Sequence, residues 1–503
     1  MITSLAIAAV ALSSGSARFS ESQLREYLEA LTSPAMGGRL TLSPGEHLAA
    51  EYLAQQFRRI GLQEGPHKGF IHEFEVTVNQ RPTANNVLSF RDSSGQTWRL
   101  DLGEDFLPLA GTRAMRMVNA DLVYVGFGLA EDDWNDYEGV DVTDKVVVMM
   151  RGVPEGRRPA SNGAKARWAA ERGAAGVIFV GSATAGRRDL APMSRGQGLA
   201  PNTDLVAASV SERHFERIVG VPIEKARQAT GPASRNLGLA VRMITESEPN
   251  RGMGRNVIGI LPGNDPAVQD EIIVVGAHFD HLGYGEVGSR TNADIIHPGA
   301  DDNASGVAGV LALAEYFAVN RTNRRTMIFQ LYSGEEVGLV GAAAWVRDHP
   351  ETVRRISAMI NMDMIGRLRE GRLTVFSTSS STEWDAILDE AKADGVVVNK
   401  SPGISSGSDH FPFARANVPN LFFHTGLTPE YHTENDTVDT INFPGMVSVI
   451  DLVRQVIQNV DAREKLPWNP EAQLGGRRRP AAPPTGTSTP PADNPAQARP
   501  EAA

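Results

Sequence analysis

The 503-residue chain contains no cysteine. Disulfides, thiolate nucleophiles and thiolate-bound zinc are thereby excluded together, so a metal in this protein has to be held by imidazole and carboxylate groups. A lipid anchor on an N-terminal cysteine is excluded as well. Long apolar runs are missing: no segment approaches the ~18 consecutive apolar residues of a transmembrane helix. Positive charge is in deficit, with 49 Lys and Arg against 60 Asp and Glu and a net charge of −11. That balance argues against nucleic acid and against anionic membrane surfaces as partners.

What is present is the composition of an ordinary soluble protein, 41% hydrophobic and 22% charged. The length exceeds what one core usually holds, so two or three domains are expected. Residues 1–18 have an apolar stretch at 5–12 and end on Gly15-Ser16-Ala17, the pattern of a secretory signal without its basic start. Export to the periplasm or the medium is therefore expected. Beyond Pro467 the chain turns Pro-rich and short of apolar residues; 466–503 is expected to be an unfolded tail, with Arg477, Arg478 and Arg479 in solvent.

Between these ends the texture changes twice. Residues 45–60 place Ala49, Leu53, Phe57 and Ile60 on one helical face, with Gly61 to end it. The preceding loop, SPAMGGRLTLSPG, is rich in turn residues and either closes over a site or merely connects. From 112 to 249, strand-like runs and a helix at 164–172 occur without a cluster of histidines and carboxylates, which reads as a non-catalytic insert. Residues 19–111 and 250–465 are then one domain. In its second part apolar strands at 272–277, 326–332, 356–362, 373–376 and 420–423 alternate with helices, including 335–347 and 444–461. An α/β fold with a mostly parallel, mixed sheet flanked by helices is expected.

The chemistry-bearing residues sit at the ends of those strands. His278, Asp302, Glu336, Asp363 and His432 each fall at or just past the carboxyl end of a strand or in the loop beyond it, where open α/β sheets build their sites. Singly each has a plain explanation: a hydrogen-bonded histidine, Asp302 as a helix cap, Glu335 and Glu336 as an acidic first turn. Five such residues converging on one rim point instead to a metal site. Its nitrogen and oxygen donors suit zinc, with cobalt or manganese as substitutes.

The motifs GAHFDH (276–281), PGADDNASG (298–306), SGEE (333–336), NMDMIG (361–366), SDHFPF (408–413) and YHTENDT (431–437) resemble those of the zinc exopeptidases with a paired-metal site. That group includes the bacterial leucyl aminopeptidases and relatives of glutamate carboxypeptidase. The resemblance implies a phosphorylase/hydrolase-like fold and two zinc ions. Asp302 would bridge them, His278 and Asp363 would complete the first site, and Glu336 and His432 the second. It further implies Glu335 as general base, Asp280 as the carboxylate orienting His278, Tyr431 as a hydrogen-bond donor to the oxyanion, and a cis peptide between Asp302 and Asn303. Ser408, Asp409 and His410 are expected to cap a helix and support the site, while His281, His297 and His424 either line the cleft or serve the core.

The insert resembles a mainly-β protease-associated (PA) domain through DLVYVGFG, DYEGVDVTDKVVVMMRG and KARWAAERGAAGVIFVG. The expected activity is aminopeptidase action on a peptide substrate. A carboxypeptidase or dipeptidase is the alternative, with Arg367 and Arg369 as candidates to hold a terminal carboxylate. A one-zinc cyclase of N-terminal glutamine and an inactive binding protein on the same scaffold are further alternatives.

Overall fold

Ile272–His278 and Ile356–Met362 are buried at every position, because each is covered on both faces. They lie at the centre of a nine-stranded sheet in the computed structural model, which describes residues 19–475 apart from 66–68, 110–114, 159, 182–189, 191–204 and 292–294. The expected signal segment and residues 476–503 of the expected tail lie outside the described residues. Strands 326–332, 272–278, 356–362 and 420–424 run parallel in that order. Antiparallel strands flank them, Ser247–Leu261 on one side and Arg372–Phe376 on the other, so the sheet is mixed around a parallel centre.

Helices cover both faces. On one, Pro44–Ile60, Gly306–Asn320 and Phe443–Asp461 pack through Phe57, Leu311 and Val453 into the main core. On the other, Val340–Asp348 and His410–Arg415 contribute Trp345 and Phe413. The expected helix at 45–60 is present and its ends follow from its residues. Ser43 accepts a hydrogen bond from the Glu46 amide, Pro44 opens the first turn, and Gly61 closes the helix at a φ of 87°.

A second sheet of eight strands has its own core, built around Leu122, Val148 and Ile178. It reaches further upstream than the expected insert. Strands 87–91, 97–99 and 106–108 belong to it, so the expected seam at 111/112 falls inside this sheet. Strand 97–99 pairs with its neighbour 87–91, but 87–91 and 106–108 pair with 235–245 and 206–210 far later in the chain, and short strands with such remote partners carry no sign of which sheet they join. The crossing runs instead along a long ribbon, Ile71–Pro82 against Ser247–Leu261.

The expected tail also begins later than 466. Leu466 is buried, Asn469 donates its amide to the Ser380 carbonyl, and Gly475 donates to Ile404, so the chain stays bound to the larger domain through 475. Among the described residues no helix is long and apolar enough to cross a membrane.

Phe57 is fully buried between its helix and the sheet, edge-on to Phe70 with ring centroids 6.2 Å apart. Phe57→Ala should cost about 3–5 kcal/mol in urea denaturation, the toll of an uncollapsed cavity. A loss below about 1 kcal/mol would contradict this packing.

Candidate metal centre

The parallel strands deliver their carboxyl ends to one rim. His278 ends its strand, level with Tyr332 on the neighbour, and Ser333 to Glu336 continue from there. Asp363 follows the end of Ile356–Met362, and His432 lies in the loop beyond Asn420–His424. Asp302 sits in the turn Ala300–Ser305 just before the helix Gly306–Asn320, and its peptide bond to Asn303 is cis.

The two Asp302 oxygens face different partners. Oδ1 lies 3.4 Å from His278 Nε2, which is itself 3.5 Å from Asp363 Oδ1. Oδ2 lies 3.1 Å from His432 Nε2, which is 3.3 Å from Glu336 Oε2. Glu335 groups with His278 and Asp363, their ligand-type atoms within 4.8 Å of one another. All five sequence-expected ligands and Glu335 thus meet at one place. Tyr431 stacks on His432 with ring centroids 3.8 Å apart and lines the same cleft.

Some supporting residues act differently from expectation. His278 Nδ1 is 3.1 Å from the backbone carbonyl of Asp280 and 3.7 Å from its carboxylate. That carboxylate instead accepts from the amides of Glu335 and Glu336 and from the Thr41 hydroxyl, at 3.1, 3.4 and 2.9 Å. Glu335 and Glu336 do not open a helix, which starts only at Val340; Gly338 and Leu339 turn the chain at φ 114° and 60°. The helix at His410 has no side-chain cap; the Ser408 hydroxyl accepts from Asn361, and Asp409 is buried near His278. His281 is fully buried with Nδ1 2.9 Å from Glu336 Oε1, and His424 lines the cleft. His297 is held by the Ser289 hydroxyl at 2.8 Å.

Electrostatics at the rim follow from this crowding. Burial raises Glu335 well above the usual carboxylate range, with Glu336, Asp409 and Asp363 adding repulsion against the nearby His278. Burial also opposes charge on His278, yet Asp363 and Glu335 hold it well above the ordinary imidazole value. The same balance carries His432 up to about 11, with Glu336 and Asp302 overcoming burial. On Glu336, burial and the neighbouring Asp302 are outweighed by His432 and His281, which bring it down to about 2.

The donor set fits divalent metal. Both histidines have Nδ1 against a backbone carbonyl, His278 at Asp280 and His432 at Gly288, 3.1 and 3.0 Å away. A carbonyl only accepts, so Nδ1 carries the proton, and in the neutral ring the Nε2 lone pair points at carboxylate oxygens. Without metal, the raised imidazole pKa values put a proton on each Nε2 to donate to those oxygens; a metal cation would take that proton's place. Among the described residues no lysine or arginine forms an ion pair with Asp302, Glu335, Glu336 or Asp363, and the oxygen and nitrogen donors suit zinc. A cavity of about 560 Å³ on the second sheet, lined by Arg91, Asp121 and Lys145, contains no such cluster.

Residues 256–457 match the profile of Peptidase family M28, and 118–218 match the PA domain. This segment belongs to peptidase family M28. A probable leucine aminopeptidase 1 of Trichophyton verrucosum (strain HKI 0517) is 27% identical over 217 residues, 39% of this chain and 56% of its own length. A second probable leucine aminopeptidase from that organism is 29% identical over 219 residues, 40% of this chain and 56% of its own. The chain thus spans a little over half the length of these relatives. Two solved structures have the same fold across both parts. An aminopeptidase from Aneurinibacillus sp. strain AM-1 matches at TM-score 0.53 and 21% identity, over 90% of this chain and 95% of that one. A zinc aminopeptidase from Bacillus subtilis matches at TM-score 0.57 and 21% identity, over 87% and 94%.

Two residues that hold this cluster in place were not singled out by the sequence. Asp436 accepts from the amides of Asp301 and Asp302 at 2.9 and 3.0 Å and so sets the turn that presents Asp302. Arg39, from the turn-rich loop, is fully buried and donates to the carbonyls of Leu31, Phe279, Pro298 and Gly299 at 2.6, 2.7, 2.7 and 3.0 Å. Burial pulls its pKa down to about 10 against Asp302, Asp436 and Asp280, which leaves it charged at neutral pH. Gly299 takes φ 59°, and a Cβ there would stand 2.2 Å from the Asp302 carbonyl oxygen.

Arg39→Met should therefore orphan four buried carbonyls and lower unfolding stability by roughly 3 kcal/mol or more. A change of less than about 1 kcal/mol in a denaturant titration would contradict the pinning role.

Proposed function

We propose that the chain is a metal-dependent aminopeptidase that removes N-terminal residues from peptides with two zinc ions, replaceable by cobalt or manganese. Support for the two-ion reading comes from Asp302, whose oxygens each face a separate imidazole and carboxylate pair. His278 and Asp363 would hold one ion, Glu336 and His432 the other, and Asp302 both. When bound, the ions supply Lewis acidity toward the scissile carbonyl and lower the pKa of water.

The chain's own groups do the rest. Glu335 carries no metal in this reading. Its carboxylate takes a proton from the attacking water as the new C–O bond forms, then returns it to the amide nitrogen as the C–N bond breaks. The Asp280 carboxylate holds the Glu335 and Glu336 amides, which fixes the base relative to the ligands. Tyr431, on the cleft wall beside His432, would donate to the developing oxyanion in this reading.

The cleft, about 520 Å³, is walled by Met364, Phe376, Phe422 and Leu427, which favours a large apolar side chain at the substrate's first residue. Its described lining contains no arginine or lysine to grip a terminal carboxylate. Arg367 is paired with Glu430 at 3.3 Å, and Arg369 bonds the Gly426 and Leu427 carbonyls at 3.3 and 3.0 Å. Each candidate for the carboxypeptidase alternative is thus already held by a protein partner. Export belongs to this reading through the apolar stretch at 5–12.

Glu335→Gln should keep its zinc while kcat falls by about 10²–10⁴. Normal turnover in that variant would remove the base assignment. Leucine p-nitroanilide should be cleaved and its N-acetyl form left intact; the opposite preference would overturn the aminopeptidase reading.

A further inference from the structure

The loop 333–341, which carries Glu335 and Glu336, is closed at its base by a side chain from another strand. Asn256, fully buried on Ser247–Leu261, accepts from the Ser333 amide at 3.1 Å and donates to the Gly341 carbonyl at 2.9 Å. The fit is close: a Cβ on Gly341 would lie 2.0 Å from the Ser333 carbonyl oxygen and 2.4 Å from Asn256 Oδ1. Ser333 donates through a backbone N–H, so the orientation of the Asn256 amide is not free. Its oxygen faces Ser333, and its NH₂ has a second proton to place.

That proton meets His72. Asn256 Nδ2 is 3.1 Å from His72 Nδ1, its register neighbour on Ile71–Pro82, and His72 Nε2 is 3.2 Å from Asp348 Oδ2. Asp348 is in turn gripped by Arg347 through both oxygens, at 2.7 and 3.0 Å. Donor and acceptor counting over these contacts leaves one arrangement. His72 Nδ1 has to accept from Asn256, so the ring is neutral and its proton lies on Nε2, donated to Asp348.

We propose that Asp348, His72 and Asn256 form a positioning relay that sets the loop bearing Glu335 and Glu336, with His72 locked as the Nε2–H tautomer. The consequence for turnover rests on the peptidase reading above; the tautomer does not. His72 and Asn256 lie on the ribbon that joins the two sheets, Asp348 ends the helix Val340–Asp348, and none of the three lines the cleft. An acceptor at the Nδ1 position is what the loop needs from residue 72.

Imidazole ¹⁵N spectra of the full chain, with the His72 signals assigned by their loss in His72→Asn, should show Nδ1 bare and Nε2 protonated at neutral pH. In parallel, His72→Leu should lower kcat about tenfold at nearly unchanged KM and zinc content. His72→Asn, whose Oδ1 replaces the Nδ1 acceptor, should return kcat to within about threefold of the native protein. An Nδ1–H tautomer, native kcat in His72→Leu, or equal impairment in both variants would overturn the relay. If His72→Leu does not fold, the spectrum and the Asn variant decide. A native protein without peptidase activity would sink the function proposed above, and the tautomer would still test the relay.

Discussion

The constraint on which the rest of the structure depends is charge crowding at one sheet rim. Two imidazole Nε2 atoms and the carboxylates of Asp302, Glu335, Glu336 and Asp363 converge where protein has displaced most of the water. Buried like charges are costly without a counter-charge, and among the described residues no lysine or arginine forms an ion pair with these four groups. Divalent cations satisfy the geometry and the electrostatics together.

Much of the surrounding structure serves to hold that unfavourable cluster open. The acidic side chains leave few donors to anchor them, so their loops are fixed through the backbone. Asp436 takes the amides of 301 and 302, Asp280 those of 335 and 336, and Arg39 the carbonyls of 279, 298 and 299. Asn303 Oδ1 accepts from the amides of Gly306 and Met364 and so ties the Asp302 turn to the Asp363 strand end. Most of the proposed ligands are thus positioned from a second element, which is how a site keeps its shape before metal arrives.

How much of this could be read from the residues depends on where the partners lie. The parallel centre was legible because strands covered on both faces are apolar throughout, as in Ile272–His278 and Ile356–Met362. The convergence of these histidines and carboxylates was legible because strand ends collect them. Arg39 and Asp436 were not, since an arginine or aspartate that bonds remote backbone looks like any surface charge. The helix expected from Glu335 starts only at Val340 because Gly338 and Leu339 adopt positive φ. The insert's upstream edge was hidden by short strands whose partners are distant, and the tail's start by the few contacts of Leu466, Asn469 and Gly475.

The central claim, that one carboxylate is shared by two cations, is tested most directly by anomalous diffraction at the zinc edge from crystals of the zinc-loaded protein. The account predicts two peaks, one on the His278 and Asp363 side of Asp302 and one on the Glu336 and His432 side. A single peak, or peaks that do not flank Asp302, would contradict it.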